Sequence, residues 1–175
     1  MEELIVERWN SVVRPEDTVY FLGDFAFGGS KLITRLVARL NGKIIMVKGN
    51  HDPRKSTQWY LDKGFYGYSA TPIILDNWFI LSHEPIGYLT DRMPYVNIHG
   101  HTHEECFDNP QRVNVSWDNI DGYPVDFEVI KAFFADDNKE YDNLHRAFKR
   151  SRHDGTGMIA KEAYQNGFVD GRNSK

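Results

Sequence analysis

The sequence predicts a mixed α/β fold in which parallel strands carry a functional site at their carboxyl ends. Three observations predict it. Apolar runs of strand length stand at 19–22 and 44–47, and further strands are read at 95–98 and 113–115. A segment of helical periodicity separates the first two, as in a β-α-β unit with a right-handed crossover. Strand after strand closes on the same kind of residue: Gly23-Asp24, Gly49-Asn50-His51-Asp52, His83, and Gly100-His101-Thr102-His103. Open α/β sheets build their sites at such ends.

Taken in order, residues 1–13 read as a helix, with Leu4, Ile5, Trp9, Val12 and Val13 at helical spacing. A turn at 14–17 leads into the strand 19–22. Gly28-Gly29-Ser30 opens the next helix, with Ser30 as its N-cap. Leu32, Ile33, Leu36, Val37 and Leu40 share one face of that helix, and Asn41-Gly42 stops it. The strand 43–48 follows, and Pro53 blocks a helix from starting cleanly behind it. A short helix is expected over 56–63. Residues 71–75 and 78–81 read as two strands joined by Asp76-Asn77, a hairpin signal. Strands at 95–98 and 113–115 come next, and then a helix capped by Asp126. Beyond about residue 136 the chain turns polar. This predicts one domain over 1–135 and a helical appendage over 136–175, packed on the domain or used in assembly, homo-oligomerisation included.

Composition narrows the function. The chain carries 41% hydrophobic and 14% aromatic residues, which is globular rather than disordered. A formal net charge of −4 gives a nucleic-acid partner no support. Cys106 is the only cysteine, so no intrachain disulfide can form and a reducing, cytoplasmic setting is expected. No stretch reaches the roughly 20 apolar residues of a membrane span, and Met1 opens no signal-peptide pattern.

The polar strand ends carry the chemistry. Asp24, Asn50, His83, His101 and His103 supply one carboxylate, one amide oxygen and three imidazoles. Imidazole with oxygen suits Mn²⁺, Fe, Zn²⁺ or Ni²⁺, and the lack of thiolates disfavours a structural zinc site. A carboxylate can bridge two cations. Two cations roughly 3.5–4 Å apart can activate a water and clamp both oxygens of an in-line phosphoryl displacement. Each residue alone has a plainer reading: a capped turn for Asp24, a hydrogen-bonded loop histidine for His83. Their shared position after strands is what plain readings do not explain. His99 is assigned a structural place only.

These blocks resemble four of the five signature blocks of the calcineurin-like metallophosphoesterases, and the resemblance covers about residues 1–135. It implies a four-layer α-β-β-α sandwich with two mixed β-sheets and a dimetal site at the strand ends, with manganese the favoured metal. By position, Asp24 resembles the carboxylate that bridges both metals. Asn50, His83 and His101 resemble ligands of the second metal, and His103 a ligand of the first. His51 resembles the residue that contacts the phosphate and protonates the leaving oxygen, with Asp52 orienting its ring.

One block is missing. The family begins with Asp-x-His on a strand ahead of the Gly-Asp block, and none precedes Gly23-Asp24. Residues 1–13 read as the helix that should follow it, so the chain is expected to start one strand late, leaving Asp24 and His103 for a first site that is empty or incomplete. A natural start upstream of Met1, a one-metal or inactive relative that serves as a binding or scaffold protein, and a segment supplied by another chain all account for this. The first accounts best for the intact remaining ligands.

Phe25-Ala26-Phe27-Gly28 stands where the superfamily's protein phosphatases continue Asp-Arg-Gly, which argues against a phosphoprotein substrate. The expected substrate is a phosphodiester, or a small phosphomonoester or nucleotide. Phe25, Phe27, Tyr88 and Tyr95 are expected mainly in the core, with stacking on a base as the alternative. Arg146, Lys149, Arg150 and Arg152 read as a solvated helix face rather than a phosphate-backbone contact. Residues 152–163 lack the end carboxylates of a calcium-binding loop.

Overall fold

The structure, a computed structural model, describes residues 2–87, 89, 95–103 and 111–135. Tyr88 and the features expected beyond residue 135 lie outside the described residues. Two sheets form. The first has the strand order β1 (Thr18–Phe21), β2 (Lys43–Val47), β3 (Gly67–Ser69), with β2 and β3 parallel. The second, mixed sheet has the order β4 (Ile73–Leu75), β5 (Phe79–Ser82), β6 (Val96–His99), β7 (Arg112–Asn114). Here β4 and β5 are antiparallel, whereas β5, β6 and β7 run parallel. Five helices accompany them among the described residues: α1 (Glu2–Val12), α2 (Ser30–Val37), α3 (Thr57–Leu61), α4 (Trp117–Ile120) and α5 (Phe127–Ala135).

The chain divides into two compact units. One comprises, among the described residues, 20–40, 44–87, 89, 95–103 and 111–116. Ile33, Leu36 and Val37 of α2 are buried, as are Ile44, Met46 and Val47 of β2 and Phe79, Leu81, Val96, Ile98 and Val113 of the second sheet. An aromatic series runs through it: Phe25 packs 5.0 Å from both Phe21 and Phe65, and Tyr60 stacks on Tyr68 at 3.9 Å. The β4–β5 turn places Asp76 at φ 50° and Asn77 at φ 60°, the doubly left-handed turn that suits a tight hairpin. Ser56 caps α3 by accepting from Trp59 N–H at 3.3 Å. The expected cap of α2 differs: Ser30 is its first helical residue, Gly29 holds the cap position, and no side chain caps it.

The other unit comprises, among the described residues, 2–19, 41–43 and 117–135. Trp9, Val13, Val19, Phe127 and Ile130 are buried in it. Asn41 is the polar link: its carbonyl accepts from Trp9 Nε1 at 2.9 Å, its Nδ2 donates to the Val13 carbonyl at 3.0 Å, and its N–H donates to Asn10 Oδ1 at 2.8 Å. Gly42 turns at φ 89°, where an added Cβ would lie 2.8 Å from Val13 Cγ1. No helix among the described residues is long and apolar enough to cross a membrane.

Asp126 caps α5 as expected, accepting from Glu128 N–H at 2.8 Å through Oδ1. Its Oδ2 is buried without a hydrogen-bond partner. Burial raises its pKa, the Glu128 N–H lowers it, Glu128 and Asp17 raise it and Lys131 lowers it, bringing it from 3.8 to about 6. The folded pKa is above the unfolded one, so the folded state holds the proton more tightly. Stability from this group is full below pH 3.8 and is lost as pH rises toward 6. Asp126→Asn keeps an acceptor for the cap and removes the charge. We expect it to raise stability by about 1–2 kcal/mol at pH 7.5 and to change little at pH 3.5. Urea midpoints at the two pH values check this; an equal shift at both would refute it.

Candidate metal centre

The site is assembled from four loops, each at the carboxyl end of a strand: after β1, β2, β5 and β6. The loop after β1 turns through Gly23 at φ 90° and then places Asp24 at φ 57°. A left-handed aspartate is a sparsely populated backbone state, held only where its surroundings over-determine it. Here they do. The Asp24 N–H donates to Asp52 Oδ2 at 2.7 Å, and the Phe25 N–H donates to Asp52 Oδ1 at 3.1 Å. Asp52 also accepts from Gly49 N–H at 2.7 Å. In return, Asp24 Oδ1 accepts the His51 N–H at 2.9 Å. Two loops are thus laced together by two carboxylates.

The lacing needs two glycines. A Cβ on Gly23 would strike the His83 ring and lie 2.6 Å from Gly49 Cα; a Cβ on Gly49 would strike the Asp24 carboxylate.

His83, buried, stands at the centre. Its Nδ1 lies 2.7 Å from the Leu22 carbonyl. A carbonyl can only accept, so Nδ1 carries the proton, and a neutral ring leaves the lone pair of Nε2 bare. That Nε2 faces Asn50 Oδ1 at 2.7 Å, His101 Nδ1 at 3.0 Å and Asp24 Oδ2 at 3.3 Å. The ligand atoms of Asp24, His83 and His101 all lie within 4.8 Å of one another. Lone pairs that converge in this way suit a shared cation, and a histidine locked by a backbone carbonyl on its other nitrogen is a common metal-ligand arrangement. The donor set of one carboxylate oxygen, one amide oxygen and two imidazoles fits a divalent transition ion.

Four of the five expected ligands therefore come together: Asp24, Asn50, His83 and His101. His103 is exposed, at φ 48°, and is not in the group of Asp24, His83 and His101 whose ligand atoms lie within 4.8 Å of one another. The expectation that Asp52 orients the His51 ring is corrected. Asp52 is buried, and its oxygens are taken by the backbone N–H groups of Asp24, Phe25 and Gly49. His51 itself is exposed beside the cluster, and its imidazole packs 5.3 Å from the ring of Phe27. His99 is buried within β6 with Nδ1 2.8 Å from the Gly100 carbonyl, the structural place assigned to it.

Two supporting residues escaped sequence reasoning. Asn97 is fully buried in β6. Its Nδ2 donates to the Ile80 carbonyl and to Ser82 Oγ, both at 2.8 Å, and its Oδ1 accepts from Ile86 N–H at 2.8 Å. Ser82 Oγ donates onward to the Glu84 carbonyl at 2.6 Å, so the turn that carries His83 is stapled on both sides. Asn114 of β7 donates to Thr102 Oγ1 and the His103 carbonyl, both at 2.9 Å, and steadies the His101 turn in the same way. The available signal was a side-chain amide inside an apolar strand, which is costly unless it is fully bonded.

Asp52→Ala strands three backbone N–H groups, each worth about 1–3 kcal/mol when left unsatisfied. We expect a loss of about 2–5 kcal/mol of folding stability, with Asp52→Asn falling between Ala and the parent. Urea denaturation measures it; a loss under about 0.5 kcal/mol, the size of an ordinary surface change, would refute this role.

The comparisons bear on this geometry. The sequence pattern described as calcineurin-like phosphoesterase matches residues 3–167. The chain is 34% identical to the uncharacterized protein MJ1445 of Methanocaldococcus jannaschii over 139 residues, covering 74% of this chain and 73% of that one. Its fold is similar to the crystal structure of AQ665, a protein of unknown function from Aquifex aeolicus, with a TM-score of 0.55 and 25% identity, covering 75% of this chain and 83% of the other. The two sheets and the match over most of the chain place this protein in the calcineurin-like phosphoesterase family.

Proposed function

We propose that the chain hydrolyses a phosphate ester, a diester in preference to a monoester, with divalent metal held by Asp24, Asn50, His83 and His101, and with manganese as the favoured ion. The observation that carries this reading is the convergence on His83 Nε2 of Asn50 Oδ1 and His101 Nδ1 within 3.0 Å and Asp24 Oδ2 at 3.3 Å. A divalent cation at such a site supplies Lewis-acid polarisation of the phosphoryl group and acidifies water. The protein's own residues do the rest. Asp24 and Asn50 set the oxygen donors from two laced loops. Leu22 fixes the tautomer of His83. In this reading His51 gives a proton to the leaving oxygen; its exposure beside the cluster and the tie from its N–H to Asp24 Oδ1 support that role. Asp52 holds the loops rather than the imidazole.

A second reading has one observation in its favour: the group whose ligand atoms lie within 4.8 Å of one another is Asp24, His83 and His101, one cluster without His103. In it the chain keeps one cation site and serves in binding without turnover.

Hydrolysis of bis-p-nitrophenyl phosphate with added Mn²⁺ separates the two. We expect turnover that a chelator abolishes. His51→Ala should lower kcat about 10²–10⁴-fold with metal uptake unchanged, the range of general acid catalysis. His83→Ala should lose the metal as well. Metal uptake without turnover in the parent would favour the second reading, and no uptake at all would sink both.

A further inference from the structure

Resting on the reading of this cluster as a phosphate-ester site, we infer that Phe27 is a specificity residue that selects esters whose leaving alcohol carries a planar ring, a nucleoside or an aryl group. The loop after β1 treats its two phenylalanines oppositely. The Phe25 N–H is held by Asp52, and its ring packs inward on Phe21 and Phe65, each at 5.0 Å. A tight turn follows, closed by Gly28 N–H donating to the Ala26 carbonyl at 3.1 Å. Phe27 sits in that turn and is 79% exposed.

A lone exposed phenylalanine is ordinary on a protein surface. This one is set apart by its neighbour. Its ring lies 5.3 Å from the His51 imidazole at an interplanar angle of 57°, and His51 is exposed too. A group on the oxygen that receives the His51 proton must extend past that imidazole. Beside it stands the open face of Phe27. Such a face rewards a flat ring through offset or edge contact. A bare sugar or alkyl chain offers a smaller and less flat surface. The loop geometry adds to this, because Asp52 fixes the backbone at Asp24 and Phe25, one turn away. The aromatic platform is therefore held at a set distance from the ligand cluster.

The test uses the full chain loaded with Mn²⁺ and two probes that share a phosphate and a ribose, adenosine 5′-monophosphate and ribose 5-phosphate. Dissociation constants are measured by calorimetry, without reliance on turnover. We expect the nucleotide to bind about tenfold more tightly than the sugar phosphate, the scale of one base–aromatic stack. Phe27→Ala should bring that ratio close to one while leaving the sugar phosphate affinity unchanged, and Phe27→Trp should keep the preference. The ratio is independent of any loss of folded protein. An equal ratio in the parent and Phe27→Ala, or no preference in the parent, would overturn the inference and leave the hydrolase reading standing. Failure of both probes to bind the parent would overturn the two together.

Discussion

One buried carboxylate carries the geometry of this site. Asp52 makes no bond to an imidazole; it gathers the N–H groups of Asp24, Phe25 and Gly49. A carboxylate taken out of water is costly unless its oxygens are hydrogen-bonded, and these are bonded to donors that cannot move without breaking the backbone trace. The burial that makes the group costly also makes its bonds strong. Two loops that follow different strands are thereby fixed to each other, and Asp24 reaches the cluster from a backbone conformation it would otherwise avoid.

That constraint explains the placement of two glycines. Gly23 and Gly49 lie where any Cβ would enter a neighbour, the His83 ring and Gly49 Cα in one case and the Asp24 carboxylate in the other. The loops approach closely because they lack side chains there, and close approach lets Asp24, Asn50 and His83 meet. Left-handed backbone at Asp24 and His101 adds strain of about 1–3 kcal/mol per residue, offset by the bonds around it. Local cost and site geometry are linked at Asp24 and His101, two of the four residues that converge in the cluster.

Much of this was legible in the sequence, for identifiable reasons. Strong apolar runs announced β1, β2, β5 and β6, and polar strand ends announced Asp24, Asn50, His83 and His101. The hairpin followed from Asp76-Asn77, and the cap of α5 from Asp126. What escaped lacks a one-dimensional signal. β3 is three residues long, begins with glycine, and owes its existence to parallel pairing with β2 through Ile45, Met46 and Val47. α4 is a single turn over a polar stretch, closed where Gly122 N–H donates to the Trp117 carbonyl at 3.1 Å. The work of Asp52 was misjudged because adjacency in sequence suggested His51 as its partner, whereas Asp24 and Phe25 lie 28 and 27 residues away. Asn97 and Asn114 stand out only as amides inside strands; which groups they staple is not written in the sequence, because their partners belong to other strands and turns.

The histidines show how position along a strand decides chemistry for one residue type. His99 is still within β6, paired opposite Ser82 on one side and Asn114 on the other, so its ring is buried in the sheet. Two residues on, the strand has ended. His101 turns at φ 66° and brings Nδ1 to 3.0 Å from His83 Nε2. His83 sits one residue past β5, late enough to leave the pleat and early enough to remain buried, and a carbonyl from the loop after β1 settles which nitrogen carries its proton. A ligand needs both freedom from the sheet's pairing and a neighbour that fixes its tautomer. Within this cluster His83 shows both, and Asn50 Oδ1, His101 Nδ1 and Asp24 Oδ2 lie around its Nε2.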